Sequence, residues 1–240
     1  MSKAAAEGPT SARIEVQGVL MVALFGSEDR LLKTLESTYP EVDVHARGNT
    51  IVLEGKPAQV AAAKQLVEEM VELIHAGQDL LPQDFTRSAR MIEDGAARPA
   101  DVLSQSIISS RGKTIRPKTL GQKTYVDAID NNTIVFGIGP AGTGKTYLAM
   151  AKAVQALQRK EISRIILTRP AVEAGEKLGF LPGTLNDKID PYLRPLFDAL
   201  HDMLDPESIP KLMTSGTIEV APLAYMRGRT LNDAFIILDE

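Results

Sequence analysis

The stretch Gly139-Pro-Ala-Gly-Thr-Gly-Lys-Thr146 decides the fold class. It matches the phosphate-binding pattern G-x-x-x-x-G-K-[ST] at every fixed position. Residues 133–138 before it are largely apolar and predict a buried strand. Residues 147–157 after it predict a helix, because good helix formers recur there with apolar spacing. A glycine-rich turn can match the pattern by chance, but a strand before it and a helix after it favour a P-loop.

The chemistry of a P-loop explains each residue type. Glycines let the chain curl so that several backbone N–H groups face one polyphosphate, and the positive end of the next helix points at the same anion. The residues expected to bind ATP are Gly139, Pro140, Ala141, Gly142, Thr143, Gly144, Lys145 and Thr146. Lys145 would act catalytically on the β- and γ-phosphates, and the Thr146 hydroxyl would ligate Mg²⁺.

The last residues, Phe235-Ile-Ile-Leu-Asp-Glu240, supply a second half for such a site. An apolar run ending in two acids is the Walker B pattern, in which a buried strand opens at its carboxyl end onto the ligand crevice. Asp239 would hold Mg²⁺, and Glu240 would orient or deprotonate the attacking water as a second catalytic residue. An ordinary strand ending in solvated acids is the alternative, and the preceding P-loop favours Walker B.

Composition narrows the function classes. The 240 residues are 44% hydrophobic and 24% charged, as in ordinary globular domains. The chain has no cysteine, which rules out disulfides and thiolate chemistry, and its three histidines are too far apart for a zinc site. The net charge of −4 gives no global signal for nucleic acid. No apolar run is long enough to span a bilayer, so we expect a cytoplasmic protein without a membrane partner.

The N-terminal part predicts a disordered tail over residues 1–12 and a small α+β domain over 13–77. The expected elements are a strand within 13–24, a helix over 27–38 with Ser27 as N-cap, strands 41–45 and 50–54 joined by a turn, and a helix over 57–76.

The order of these elements resembles a KH-like RNA-binding fold. The loop Gly26-Ser-Glu-Asp29 lies where a KH domain grips the nucleic-acid backbone with G-X-X-G. It lacks the second glycine and places two acids where phosphate would sit, which disfavours RNA binding through this loop. A small α+β interaction module is the alternative.

Residues 78–118 predict a linker with weak helical pieces, punctuated by prolines and ending in the basic stretch 111–118. Such a stretch is typical of a nucleic-acid contact or of a solvated linker.

From 119 to 240 we expect a P-loop NTPase domain, because strands alternate with helices and imply a parallel sheet. The further predictions are a helix over 119–129, strands 163–168 and 217–221, a functional loop over 170–195 and an amphipathic helix over 195–204.

Three blocks, residues 136–146, 167–183 and 235–240, together resemble the PhoH-like ATPases, and the resemblance covers nearly the whole chain. It implies an α/β fold with a RecA-like parallel sheet, similar to the first domain of superfamily one helicases, after a KH-like α+β domain. It also implies a cytoplasmic ATP-binding protein that acts on RNA. The family continues beyond the position of Glu240, so we expect a truncated sequence.

The resemblance also implies roles for residues outside the two motifs. Gln122 would read the adenine edge, because one amide can donate and accept at once; a solvent-facing glutamine is the alternative. Arg169, Arg227 and Arg229 are candidates for contacts with nucleic acid, and Arg169 packing in the crevice is the alternative for that residue. A neighbouring subunit could supply an arginine finger, which makes a homo-oligomer a candidate assembly.

Three functions compete at this point. The leading one is a Mg²⁺-dependent ATPase whose partners are ATP, single-stranded RNA and RNA-processing proteins. The second is a nucleotide-dependent binding or switch module with little turnover. The third is a P-loop kinase, which the pair Asp239 and Glu240 disfavours because a water-activating carboxylate would waste ATP.

Overall fold

The computed structural model describes residues 9–95, 97–110, 112–170, 194 and 196–239. The described chain is a mixed α/β structure that divides into two compact units. The first unit runs to Gln105 and includes Lys118–Leu120, and the second comprises Ser106–Pro117 and the residues from Gly121 onward. Each unit has a hydrophobic core of its own.

The first unit is built on a three-stranded antiparallel sheet in the order β1-β3-β2. Its elements up to residue 75 are β1 (Thr10–Glu15), α1 (Met21–Phe25), α2 (Arg30–Thr38), β2 (Val42–Arg47), β3 (Thr50–Gly55) and α3 (Pro57–His75). The short helix α1 was not predicted. The N-cap prediction for Ser27 is wrong, because Glu28 and Asp29 take left-handed backbone (φ 58° and 54°) and delay α2 to Arg30.

The core of the first unit lies between α3 and the sheet. Val60, Ala63, Val67 and Met70 of α3 are all at most 2% exposed. The spacing of these residues matches the helical period, so one face of α3 covers β1 and β3 while the other remains in solvent.

Two further helices extend this unit where the sequence predicted a linker. They are α4 (Pro82–Asp94) and α5 (Pro99–Leu103). The Phe85 side chain is fully buried in the first core. The buried carboxylate of Glu69 on α3 accepts hydrogen bonds from the Arg98 side chain at 3.0 Å and from the Ala100 N–H at 2.7 Å. These contacts make residues 80–103 part of the first unit. The stabilisation gained by burying one face of α4 is larger than the helix-breaking effect of the Pro and Gly residues that suggested a linker.

The second unit contains a parallel three-stranded sheet in the order β7-β6-β8. Its elements are the hairpin β4 (Ile108–Ser110) and β5 (Lys113–Ile115), then α6 (Leu120–Asn131), α7 (Lys145–Gln158), β6 (Arg164–Arg169), α8 (196–203), α9 (Ile209–Thr214), β7 (Ile218–Pro222) and β8 (Ala234–Leu238). The hairpin buries Ile108 and Ile115 in the second core. The basic stretch therefore belongs partly to this unit and is not a solvated linker.

The strand predicted for residues 133–138 is absent. Ile134, Phe136 and Ile138 are 75%, 83% and 94% exposed, and the segment has no strand assignment. A strand requires a hydrogen-bonded neighbour, and within the described ranges β8 pairs with β6 alone. The prediction of a strand here is therefore wrong, because an apolar run alone does not supply the neighbouring strand that pairing requires.

Two remaining predictions concern the segment after β6. The predicted functional loop over 170–195 lies almost wholly outside the described residues. The amphipathic helix predicted next to it is observed as α8, which buries Leu196, Leu200 and Met203 in the second core. Among the described helices, none combines the length and the apolarity that crossing a membrane requires.

If α4 is an integral part of the first unit, Phe85→Ala will destabilise that unit by about 3–5 kcal/mol, the usual loss for a buried Phe. Urea unfolding followed by circular dichroism measures the change as a lower midpoint. Arg90→Ala, an exposed position on the same helix, is the control and will leave the midpoint unchanged. Equal midpoints for both variants would show that α4 is a detachable linker segment.

Candidate nucleotide-binding site

The loop over residues 139–146 curls around the ammonium group of its own lysine. Lys145 Nζ donates to the carbonyls of Gly139 and Pro140 at 2.8 and 2.9 Å. Gly142 and Gly144 have φ angles of 75° and 85°, a left-handed backbone that favours glycine. Gly144 is also the N-cap of α7, whose 14 residues start at Lys145. The loop therefore presents a concave backbone at the positive end of a helix, as an anion site requires.

A second contact joins the two sequence motifs. The Thr146 hydroxyl donates to Asp239 Oδ1 at 2.5 Å across 93 positions of sequence. The Asp239 N–H donates to the Thr168 carbonyl at 2.8 Å, which continues the pairing of β8 with β6 by one residue. The sheet thus fixes Asp239 beside the first turn of α7. A hydroxyl and a carboxylate are hard oxygen donors of the kind Mg²⁺ prefers, so the residues present fit this ion.

Arg169 balances the negative charge of this carboxylate. Its Nη1 lies 3.8 Å from Asp239 Oδ2, and both side chains are less than one-fifth exposed. The structure therefore places Arg169 in the crevice at the carboxyl end of β6. Within the described ranges, no cluster of three or more Asp, Glu, His or Cys side chains is present that could hold a metal by itself. A cation here would need ligands from phosphate and water as well.

Gln122 contacts the P-loop directly. Its Nε2 donates to the Thr143 carbonyl at 3.0 Å and lies 3.4 Å from the position that a Cβ on Gly144 would occupy. This contact holds α6 against the loop.

Tyr125 is a site residue that the sequence analysis missed. It lies one helical turn after Gln122 on α6, and a Cβ on Gly137 would come within 3.0–3.1 Å of its ring and hydroxyl. Burial, and then the charge of Asp239, raise the pKa of Tyr125. One face of α6 thus contacts both the P-loop and the segment just before it. The only sequence signal for this was the spacing of three between Gln122 and Tyr125.

The basic stretch contributes a different contact in the second unit. Lys113 Nζ donates to Asp202 Oδ2 at 2.6 Å, and the Tyr147 hydroxyl donates to the same oxygen at 3.1 Å. The hydrogen bond that Lys113 donates to the Asp202 carboxylate raises the pKa of Lys113 above its ordinary value. Lys113 therefore connects the β4–β5 hairpin to α8 and to the residue after the P-loop. Arg111 lies outside the described residues.

Arg227 and Arg229 differ in their surroundings, although the sequence treated them alike. Arg229 forms two hydrogen bonds with the Glu219 carboxylate on β7, which fixes the loop that follows this strand. These bonds lower the pKa of Glu219. Arg227 is exposed and forms no ion pair with the described part of the chain. Of the two, Arg227 is the one that remains available to a ligand.

The predicted catalytic residue Glu240 lies outside the described residues. The geometry of the site therefore covers Lys145, Thr146, Asp239 and Gln122, and leaves the position of the second carboxylate of the Walker B pattern undescribed.

Comparison with known proteins identifies the family. The family model for PhoH-like protein matches residues 114–240, and a PhoH-like protein of Mycobacterium tuberculosis is 64% identical over 236 residues. The chain belongs to the PhoH-like family. The match covers 98% of this PhoH-like chain and 67% of the mycobacterial relative. A PhoH-like protein of Bacillus subtilis is 49% identical over 91% of the chain and 69% of its own length. Protein PhoH of Escherichia coli is 46% identical over half of the chain and 34% of its own length.

The close approach of Tyr125 to Gly137 predicts a position-specific effect of alanine. Gly137→Ala will destabilise the second unit by about 1–3 kcal/mol, because the added methyl group overlaps a half-buried ring. Gly121→Ala is the matched control, since a Cβ there meets nothing within 4 Å. Thermal unfolding of both variants is the measurement. The packing of Tyr125 on Gly137 would be contradicted by equal stability of the two.

The pair of Glu219 and Arg229 predicts an acid-sensitive contribution to stability. Because the folded pKa of Glu219 is lowered, its contribution is present above the unfolded pKa and is lost as the pH falls through the folded pKa. Wild type will therefore be more stable than Glu219→Gln at pH 7, and the difference will shrink below pH ~4.5. Melting temperatures from pH 7 to 3 measure this, and a constant difference would exclude the titration.

Proposed function

We propose that this PhoH-like protein is a Mg²⁺-dependent ATPase with a RecA-like P-loop domain that acts on RNA in the cytoplasm. The observation that carries the proposal is the hydrogen bond between Thr146 and Asp239 beside the amino terminus of α7. It brings a P-loop hydroxyl and a carboxylate from the end of a parallel strand to one point. That is the arrangement from which a Mg²⁺–nucleotide complex is bound.

Each residue has a distinct role in this proposal. The backbone N–H groups of residues 141–146 and the α7 dipole would bind the phosphates of ATP. Lys145 would exchange its two loop carbonyls for phosphate oxygens, and Thr146 and Asp239 would hold the metal. Bound Mg²⁺ would neutralise charge on the phosphates. Glu240 would orient the attacking water and accept its proton.

Gln122 would recognise the base in the same proposal. Its Nε2 is already occupied by the Thr143 carbonyl at 3.0 Å. Adenine recognition therefore requires the amide either to keep this bond and use its carbonyl oxygen, or to turn away from the loop. Because the amide both donates and accepts, adenine is a chemically matched partner.

The RNA part of the proposal rests on both units. The first unit has the order β1, α1, turn, α2, β2, β3 and α3, with the turn at 26–29 where a KH-like fold would place its nucleic-acid loop. Two acids in that turn disfavour phosphate, so we assign the RNA contact to Arg227 and to the crevice containing Arg169. Arg169 is the last residue of β6 and Arg227 follows β7, so both belong to the carboxyl edge of the parallel sheet, where such sheets bind ligands. RNA-processing proteins are the corresponding partners.

A specific contact favours a second candidate, a nucleotide-dependent switch with little turnover. Arg169 is paired with Asp239 and directly precedes Pro170 and the segment 171–193. A cation that binds Asp239 would compete with Arg169 for the carboxylate. Nucleotide binding would then change the position of the Arg169 side chain at the end of β6, without any need for hydrolysis.

Two variants separate binding from turnover. Lys145→Ala will weaken the binding of a fluorescent ATP analogue at least tenfold and abolish ATP hydrolysis, because the phosphates lose their cation. Glu240→Gln will retain binding within about threefold and lower kcat by ~10²–10⁴, the usual contribution of an acid–base residue. Phosphate release with and without single-stranded RNA measures turnover, and we expect RNA to stimulate the wild type.

Lys211→Ala, an exposed lysine of α9, is the control for both assays and will match the wild type. Hydrolysis that survives Lys145→Ala would overturn the ATPase proposal. Nucleotide binding with no turnover at any RNA concentration would instead favour the switch.

A further inference from the structure

One edge of the first unit's sheet lies beside an open groove. The order of strands is β1-β3-β2, and among the described residues β1 pairs with β3 alone. A groove of about 610 Å³ runs along β1, lined by the four consecutive residues 13–16 and by α3 side chains that include Lys64, Gln65 and Glu68. Successive side chains of a strand point to opposite faces. A groove that touches four in a row therefore faces the backbone edge of β1.

The inner hydrogen bonds show which backbone groups are free at this edge. The Val16 N–H donates to the Asn49 carbonyl at 2.8 Å, and the pairing continues with Ile14 opposite Ile51. In an antiparallel pair, hydrogen-bonded positions alternate along the strand. Ile14 therefore bonds inward, whereas the N–H and C=O groups of Arg13 and Glu15 point into the groove.

The charges on β1 select one way of pairing it with a copy of itself. Two identical antiparallel strands must place outward-bonding residues opposite each other, so the symmetry axis falls on a residue and not between two. Among the residues of β1 that line the groove, the axis can fall at 13, 14 or 15. An axis at 13 or 15 puts Arg13 opposite Arg13, or Glu15 opposite Glu15, and like charges directly opposite are destabilising. An axis at Ile14 puts Arg13 opposite Glu15 of the partner twice. The two side chains are 67% and 66% exposed and lie only 3.9 Å apart within one strand.

We propose that the first unit dimerises through β1, pairing antiparallel with β1 of a second copy about an axis at Ile14. The interface is isologous, since the same patch serves both subunits. It satisfies the exposed edge, forms two Arg–Glu pairs across strands, and joins the two sheets into one of six strands with α3 beside the seam. The dimer does not depend on nucleotide, because no residue of the P-loop or of β8 takes part.

A second copy fits this edge better than a foreign peptide does. Charged side chains on an edge strand normally discourage pairing with other chains. Here a positive residue is followed two positions later by a negative one. Two copies of β1 therefore place opposite charges against each other in one register. An unrelated strand would need the same two charges in the same register.

A charge swap tests the register in the full chain. Analytical ultracentrifugation of the wild type will show a dimer. Arg13→Glu and Glu15→Arg will each raise the dimer dissociation constant at least tenfold, because each places like charges opposite each other. The double variant Arg13→Glu/Glu15→Arg will restore dissociation to within about threefold of wild type. Arg159 and Glu161 are the matched control, since they have the same spacing, a 3.9 Å separation and similar exposure; Arg159→Glu will leave the dimer unchanged.

The absence of cysteine allows a direct test of the geometry. Residues 13 and 15 of the partner would be a hydrogen-bonded pair with Cα atoms ~5.5 Å apart, within the range for a disulfide. An oxidised mixture of Arg13→Cys and Glu15→Cys proteins will form disulfide-linked heterodimers. Each variant alone will form few, because its two thiols are offset by two residues.

These measurements decide the proposal by themselves. A monomeric wild type at all accessible concentrations would overturn it, as would a dimer that neither single charge variant weakens. Crosslinking of Arg13→Cys to itself at the efficiency of the mixture would also overturn it, because that product requires a different axis. ATP hydrolysis by the wild type remains a separate readout, so failure of the dimer leaves the proposed function intact.

Discussion

The hydrogen bond from the Asp239 N–H to the Thr168 carbonyl is the contact on which the site depends. It continues the β6–β8 ladder to the first residue after the strand, so the carboxylate is positioned by the sheet and not by a loop. Parallel pairing makes this possible, because the carboxyl ends of both strands meet at one edge. The Thr146 hydroxyl donates a hydrogen bond to the Asp239 carboxylate, and this bond connects α7 to the sheet. The position of a metal would follow from backbone pairing.

A second set of polar contacts fixes α7 from its other side. Lys152 is 7% exposed and pairs with Asp130 of α6 at 2.5 Å. Its ammonium also donates to Gln155, whose amide donates to the Ile107 carbonyl before β4. A buried lysine without partners would carry a large desolvation penalty, so Asp130 and Gln155 make the burial of Lys152 possible. The helix that carries the P-loop is thereby held by α6, by the hairpin and by the sheet.

The sequence predicted most of what has a short-range cause. The P-loop, the Walker B acid and the elements α2, β2, β3 and α3 follow from spacing within a few residues, and Thr146 and Asp239 do come together. In contrast, α1 was not predicted, and β1 begins at Thr10, within the stretch predicted as a disordered tail. The predictions from sequence were wrong where contacts between distant segments determine the structure. Apolarity in 133–138 predicted a strand, yet pairing depends on a neighbour. Prolines around α4 predicted a linker, yet Phe85 is buried and packs with the first core. The contact of Tyr125 with Gly137 joins two segments that no local pattern connects.

The distribution of cations explains why composition was a weak guide to phosphate binding. Arg98, Lys113 and Arg229 each form close hydrogen bonds with carboxylates of their own unit. Such cations build structure and offer little charge to a polyanion, whatever their number in the sequence. In the proposed function, phosphate would instead be bound by the curled backbone of the P-loop, the dipole of α7 and Lys145, which is bonded only to main-chain carbonyls among the described residues. Recognition of phosphate would then be set by the left-handed backbone at Gly142 and Gly144 more than by net charge.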